Sequence, residues 1–100
     1  MAHYGPLLYD YRINAINTAA SFGRVLRRLR GQAHLSQERL AHDCGLTPNY
    51  ISLLERGLRT PTLDTVWAVC ERLGVHPFEL VAHVEEDMER QAQQKLPEDT

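Results

Sequence analysis

The chain has 100 residues, 43% hydrophobic and 24% charged, a size and balance that fit one small globular domain and exclude a multidomain enzyme or a chain disordered by composition. No apolar run approaches the roughly 18 residues that a membrane-spanning helix needs. The formal net charge of -2 would argue against a nucleic-acid partner if it were evenly spread, but residues 20–80 carry eight arginines against six acids, a balance of +2, while residues 81–100 carry two bases against six acids, a balance of -4.

At the N-terminus, Met1 to Pro6 has neither the charged head nor the long apolar stretch of a secretory signal, and Cys44 and Cys70 stand alone, far apart in the chain. A cytoplasmic location with both thiols reduced is expected. Gly5 and Pro6 mark an irregular arm, residues 1–17, in which Tyr4, Leu7, Leu8, Tyr9, Tyr11 and Ile13 give enough apolar surface to pack on the domain or on a protein partner. Asn14 or Asn17 is placed to cap a first helix running to about Arg30, with Phe22, Leu26 and Leu29 on one stripe and Gly31 as its stop.

Ser36 is the next N-cap, opening a short helix from Gln37 to Asp43 with Leu40, Ala41 and Cys44 inward, and Gly45 breaks the chain after it. Thr47 followed by Pro48 opens a third helix, because proline at the first helical position lacks only an N–H that would be unpaired anyway. It should reach Glu55 or Arg56, with Ile51 and Leu54 inward and Asn49, Ser52 and Leu53 pointing away. After a loop through Leu58, Arg59, Thr60 and Pro61, Thr62 caps a fourth helix whose Leu63, Val66, Cys70 and Leu73 recur at helical spacing up to Gly74. His76-Pro77-Phe78-Glu79 reads as a capping box for a short fifth helix through Val81. Beyond it, residues 82–96 form a charged extra helix with a thin stripe at Val84, Met88 and Ala92, which needs a surface of its own domain or of a second chain, and residues 97–100 should fray. No stretch alternates with period two, so the fold is expected to be all-α.

Two short helices, Gln37 to Asp43 and Pro48 to Arg56, joined by a glycine-containing turn, are the signature of a helix-turn-helix. Ala41 is small enough for the helices to approach closely, and Gly45 can take a left-handed backbone. The outer face of the second helix, polar at its leading end, suits a major groove about 12 Å wide. Leu35-Ser-Gln-Glu-Arg-Leu-Ala, Cys44-Gly-Leu-Thr-Pro-Asn-Tyr-Ile-Ser-Leu-Leu-Glu-Arg-Gly and Thr60-Pro-Thr-Leu-Asp-Thr closely resemble the phage-repressor-like (Cro/cI-type, XRE) helix-turn-helix family over about residues 20–81. The resemblance implies a compact five-helix DNA-binding domain, residues 18–81 here, normally working as a homodimer on a two-fold operator.

Carried over by position, the resemblance assigns base reading to Pro48, Asn49, Ser52 and Leu53, with Tyr50 beside them. An asparagine amide can both donate to and accept from an adenine edge, whereas proline and leucine offer only apolar contact, for instance to a thymine methyl. Many relatives carry glutamine or arginine at these positions, so the operator sequence does not carry over. Phosphate contacts fall to Ser36, Gln37, Arg56, Arg59 and Thr60, and for Gln37 the physics agrees, since a helix N-terminus presents unpaired N–H groups and partial positive charge. Ten of the eleven basic residues are arginine, suited to two-pronged contact with phosphate or base edges, and Arg24, Arg27 and Arg28 can add long-range attraction. Arg30 and Glu55 match a pair that ties the first helix to the third in related domains.

The remaining chemistry-bearing residues read as structural. Cys44 and Cys70 lie on apolar stripes as small buried hydrophobes. His3, His34, His42, His76 and His83 lack the spacing of a metal site, and no cofactor is implied. Trp67 lies one position off the main stripe of its helix, either closing the core or forming a patch at a subunit boundary, and Glu85, Glu86, Asp87 and Glu89 read as a solvated face. No nucleophile–base pair, metal cluster or phosphate loop marks an enzyme. The expected function is sequence-specific binding of double-stranded DNA to regulate transcription, with no membrane partner. Two alternatives stand beside it: an antitoxin or restriction-modification controller with the same domain, and a protein–protein adaptor that kept the fold but lost DNA binding.

Overall fold

A computed structural model describes residues 17–95, and the expectations for the arm before Asn17 and for the tail at 97–100 lie outside the described residues. Five helices and no strand occur among them: α1 (Thr18–Gln32), α2 (Gln37–Cys44), α3 (Pro48–Glu55), α4 (Leu63–Leu73) and α5 (Pro77–Lys95). Asn17, Ser36, Thr47 and Thr62 each accept a hydrogen bond from the backbone N–H three residues on, at 2.9–3.2 Å. Each cap satisfies one donor that the first turn would otherwise leave unpaired. Half of the expected capping box is present at α5, where the backbone N–H of His76 donates to Glu79 Oε1 at 2.9 Å.

The core is one cluster in which Phe22, Val25, Leu26 and Leu29 of α1 meet Leu40 and Ala41 of α2, Ile51 and Leu54 of α3, and Val66, Val69 and Cys70 of α4. Leu63 departs from the expected α4 stripe and is 73% exposed, whereas Val69 is fully buried. The first turn of α4 projects past the core, so the inward stripe starts only at Val66. Gly31 does not stop α1 either. The helix continues to Gln32, and His34 takes the left-handed conformation (φ 58°) while the Leu35 N–H closes onto the Arg30 carbonyl at 3.1 Å.

The short fifth helix and the extra helix expected after residue 81 are one continuous helix, α5. Leu80, Val84, Met88 and Ala92, at four-residue steps, are all buried in the common core, so its apolar stripe is covered within the chain. The acidic face of α5 is not wholly solvated as expected. Asp87 is buried and receives Arg24 of α1 through Nε at 3.1 Å and a terminal nitrogen at 2.6 Å. Arg24 is therefore committed to an internal tie instead of to long-range attraction.

Burial alone would push the Asp87 carboxyl up, but hydrogen bonds from Arg24 and Ser21 and the charges of Arg24 and Arg90 overcome it and hold it below its ordinary 3.8. A carboxyl whose folded value lies below its unfolded one contributes stability that is complete above the unfolded value and is lost as pH falls through the folded one. Thermal melting followed over about pH 6 to pH 2 should fall more steeply for the wild type than for Asp87→Asn. Parallel curves would show that the Arg24–Asp87 tie contributes nothing.

Candidate nucleic-acid interface

The turn between α2 and α3 sets the geometry of the site. Gly45 sits at φ 70°, and the Leu46 N–H closes onto the Ala41 carbonyl at 2.8 Å, which ends α2 and redirects the chain within three residues. Leu40, Ala41, Ile51 and Leu54 are fully buried, fixing both helices against the core. Asp43 adds a polar tie, accepting from Arg72 of α4 at 2.5 Å and from Arg39 at 3.2 Å. The hydrogen bond from Arg72 is the main reason the Asp43 carboxyl lies below the usual carboxylate range.

With Ile51 and Leu54 inward, the first turn of α3 is presented outward. Pro48 and Asn49 are exposed at its leading end, and Tyr50, Ser52 and Leu53 are half-buried. The five residues expected to read bases thus share one helix, with its two leading positions the most open. Tyr50 packs at the edge of the core and carries the Arg59 guanidinium over its ring, 5.9 Å from the centroid. This cation–π contact holds an otherwise flexible side chain beside α3.

The residues expected to touch phosphate divide into two groups. Ser36, Arg59 and Thr60 are exposed, the first as the N-cap of α2 and the other two in the loop after α3. Gln37 and Arg56 have internal partners. The Gln37 amide donates to Glu55 Oε1 at 2.9 Å, and Arg56 folds back to donate to the carbonyl and hydroxyl oxygens of Ser52 at 3.3 and 3.2 Å. What α2 offers at Gln37 is its backbone N–H, in the first turn where no intrahelical partner exists. The Gln37–Glu55 link joins residues 18 positions apart, for which sequence periodicity carries no signal, whereas Arg56 and Ser52 stand at the i,i+4 spacing of helix neighbours.

Arg30 and Glu55 form the expected α1–α3 pair. Arg30 donates to the two Glu55 oxygens at 2.5 and 3.0 Å and to the Leu35 carbonyl at 2.7 Å. The hydrogen bond to Glu55 raises the guanidinium above its already high value. The Glu55 side chain is only 3% exposed, so the pair is structural and unavailable to a base edge. Cys70 is buried and Cys44 half-buried, with its thiol donating to the Ala68 carbonyl, and burial pushes both thiols up, away from thiolate chemistry. No helix among the described residues is long and apolar enough to cross a membrane.

A family model described as helix-turn-helix matches residues 26–80, more than half of the chain. Control protein C.BamHI of Bacillus amyloliquefaciens is 39% identical over 66 residues, which span 65% of this chain and 82% of that protein. Among solved structures, the chain is similar to the restriction-modification controller protein C.AhdI from Aeromonas hydrophila, at 39% identity and a TM-score of 0.61 over 62% of this chain and 90% of the other. It is also similar to the clp gene regulator ClgR from Corynebacterium glutamicum, at 27% identity and a TM-score of 0.75 over 78% and 83%.

Proposed function

This chain belongs to the phage-repressor-like (Cro/cI-type) helix-turn-helix family of DNA-binding regulators, and from that membership we propose that it binds double-stranded DNA sequence-specifically, as a homodimer on a two-fold operator. The observation that carries the reading is the contrast within α3: Ile51 and Leu54 are wholly buried while Pro48 and Asn49 stand open at the leading end. A helix fixed by one face and free at its tip can enter a major groove without rearranging. Ser36, Arg59, Thr60 and the N-terminal turn of α2 bind phosphate and set register, and Asn49 with Ser52 chooses the sequence. Regulation follows from occupancy, since a bound dimer blocks or recruits polymerase.

Similarity to two controllers, at 39% identity over most of each relative's length, favours a specific form of this reading in which the regulated genes encode a restriction-modification system. Selection of duplexes from a random library, at low and moderate salt, tests both levels. An enriched two-fold word is expected, and its position upstream of an endonuclease or methyltransferase gene would support the controller form. An adaptor would enrich no sequence. With the selected operator in hand, Asn49→Ala should cost about 1–3 kcal/mol and relax preference at one base pair, while Arg59→Ala should weaken all sequences alike and flatten the salt slope by about 1. Binding unchanged by both substitutions would remove α3 from the groove.

A further inference from the structure

A hollow that no residue of α2 or α3 lines lies where the first turns of α1 and α5 meet. It holds about 190 Å³ between Ala19 and Phe22 of α1, Pro61 and Val66 on the α4 side, and Leu80 and Val84 of α5. Its wall is carbon, and no charged residue borders it. We propose that this groove is the seat of the chain's own segment Ile13-Asn14-Ala15-Ile16, whose two isoleucine side chains fill it.

Three observations select that occupant. The first is where the described chain starts. Asn17 caps α1 with an extended backbone (φ -75°, ψ 105°), and the next two residues, Thr18 and Ala19, already border the groove. A fully extended chain spans at most about 3.6 Å per residue, so Ile13 lies within about 14 Å of Asn17 and Ile16 within about 4 Å. The second is a missing partner. The residue before an N-cap commonly packs against the fourth residue of the helix, which here is Ser21: polar, wholly buried, and accepting a hydrogen bond from Arg24 at 3.2 Å. Ile16 has no apolar partner at that position of α1, and the groove beside Ala19 supplies one. The third is a match of charge and size. Residues 13–16 are an uncharged stretch following Arg12, set against an uncharged wall. A dry cavity of about 150 Å³ accommodates a benzene ring, so this groove is on the scale of one or two side chains and not of a subunit contact, which needs about 1,000 Å².

The placement bears on the loop after α3. Thr60 also borders the groove, and the loop already rests on α1 at Gly57, where an added Cβ would lie 2.8 Å from the Ala20 Cα. Seated there, residues 13–16 join the body that carries Arg59 and Thr60. The inference involves no duplex, and it stands or falls apart from the DNA reading.

Nuclear Overhauser effects in the methyl-labelled full chain test this. Its isoleucines are Ile13, Ile16 and Ile51, so the two signals in question stand beside one buried reference. The expected result is cross-peaks from Ile13 and Ile16 to the methyls of Leu80 and Val84. They should vanish when isoleucine-labelled chains are mixed with separately leucine- and valine-labelled ones. Ile13→Ser/Ile16→Ser should abolish the cross-peaks, shift the Val84 methyl signals and lower the folding equilibrium constant about 10-fold. Leu7→Ser/Leu8→Ser should leave all three unchanged. Absence of the cross-peaks in the wild type overturns the inference, as does an isoleucine double variant of unchanged stability with Val84 unmoved. So does a Val84 shift caused by the leucine pair instead. Cross-peaks that persist in the mixed sample also overturn it, because they would seat a second copy's segment in the groove.

Discussion

Replacing Glu55 with alanine is expected to cost the fold about 3–5 kcal/mol, the range for breaking a buried ion pair from one side. The carboxylate is the hub of three hydrogen bonds, two from Arg30 and one from Gln37, in a setting where its side chain is 3% exposed and that of Arg30 15%. Removing it leaves a guanidinium with little water to replace its partner, and a glutamine amide pointing at nothing. The cost thus reflects an orphaned charge more than the worth of the pair itself. Arg30→Met combined with Glu55→Leu should recover much of the loss, since apolar side chains of similar volume remove both charges together. Denaturant unfolding of the two single variants and the double closes this cycle. A single-variant loss below about 1 kcal/mol would class the pair with surface ion pairs, and would leave the hold of α1 on α3 to packing alone.

The same pair shows how far the sequence could be read. The helix-turn-helix was legible because each of its parts is local: Ser36 and Thr47 as caps, Pro48 at a first helical position, Gly45 at a left-handed turn, Ala41 at a close approach. The Arg30–Glu55 tie came from family resemblance, since nothing local links residues 25 apart. Where no such guide existed, long-range partners were missed. Arg24 and Asp87 lie 63 residues apart, and each taken alone looks like a solvated charge. Gln37 and Arg56 are fitted by type for phosphate, yet their side chains bond within the domain.

The unity of α5 could have been found. Leu80, Val84, Met88 and Ala92 continue one four-residue step across the boundary expected at residue 81, and only the density of charge around them suggested a break. Trp67 shows the opposite limit. Its place one position off the α4 stripe leaves core and surface equally open, and the structure turns Val66, Val69 and Cys70 inward and Trp67 out. Which face of α4 is inward is set by how it seats against α2 and α5, which no window of sequence contains.

Gly23→Ala is expected to destabilise the protein by about 3 kcal/mol, near the top of the usual range for overpacking, although alanine is the better helix former by about 1 kcal/mol. A methyl group built at Gly23 would lie 2.4 Å from the carbonyl oxygen of Leu54, 2.6 Å from that of Glu55 and 2.9 Å from the Glu55 carbonyl carbon. All three are backbone atoms at the end of α3, so no side chain can swing aside to make room. α1 and α3 would have to separate, and the separation would pull on the Arg30–Glu55 hydrogen bonds beside it. The control is Gly31→Ala in the same helix, where an added methyl meets nothing within 4 Å and helix propensity should act unopposed. Opposite signs for the two substitutions in denaturant unfolding are the expected result. A stabilising Gly23→Ala would mean that α1 does not approach α3 closely, and that the recognition helix is held in place by its buried leucine and isoleucine alone.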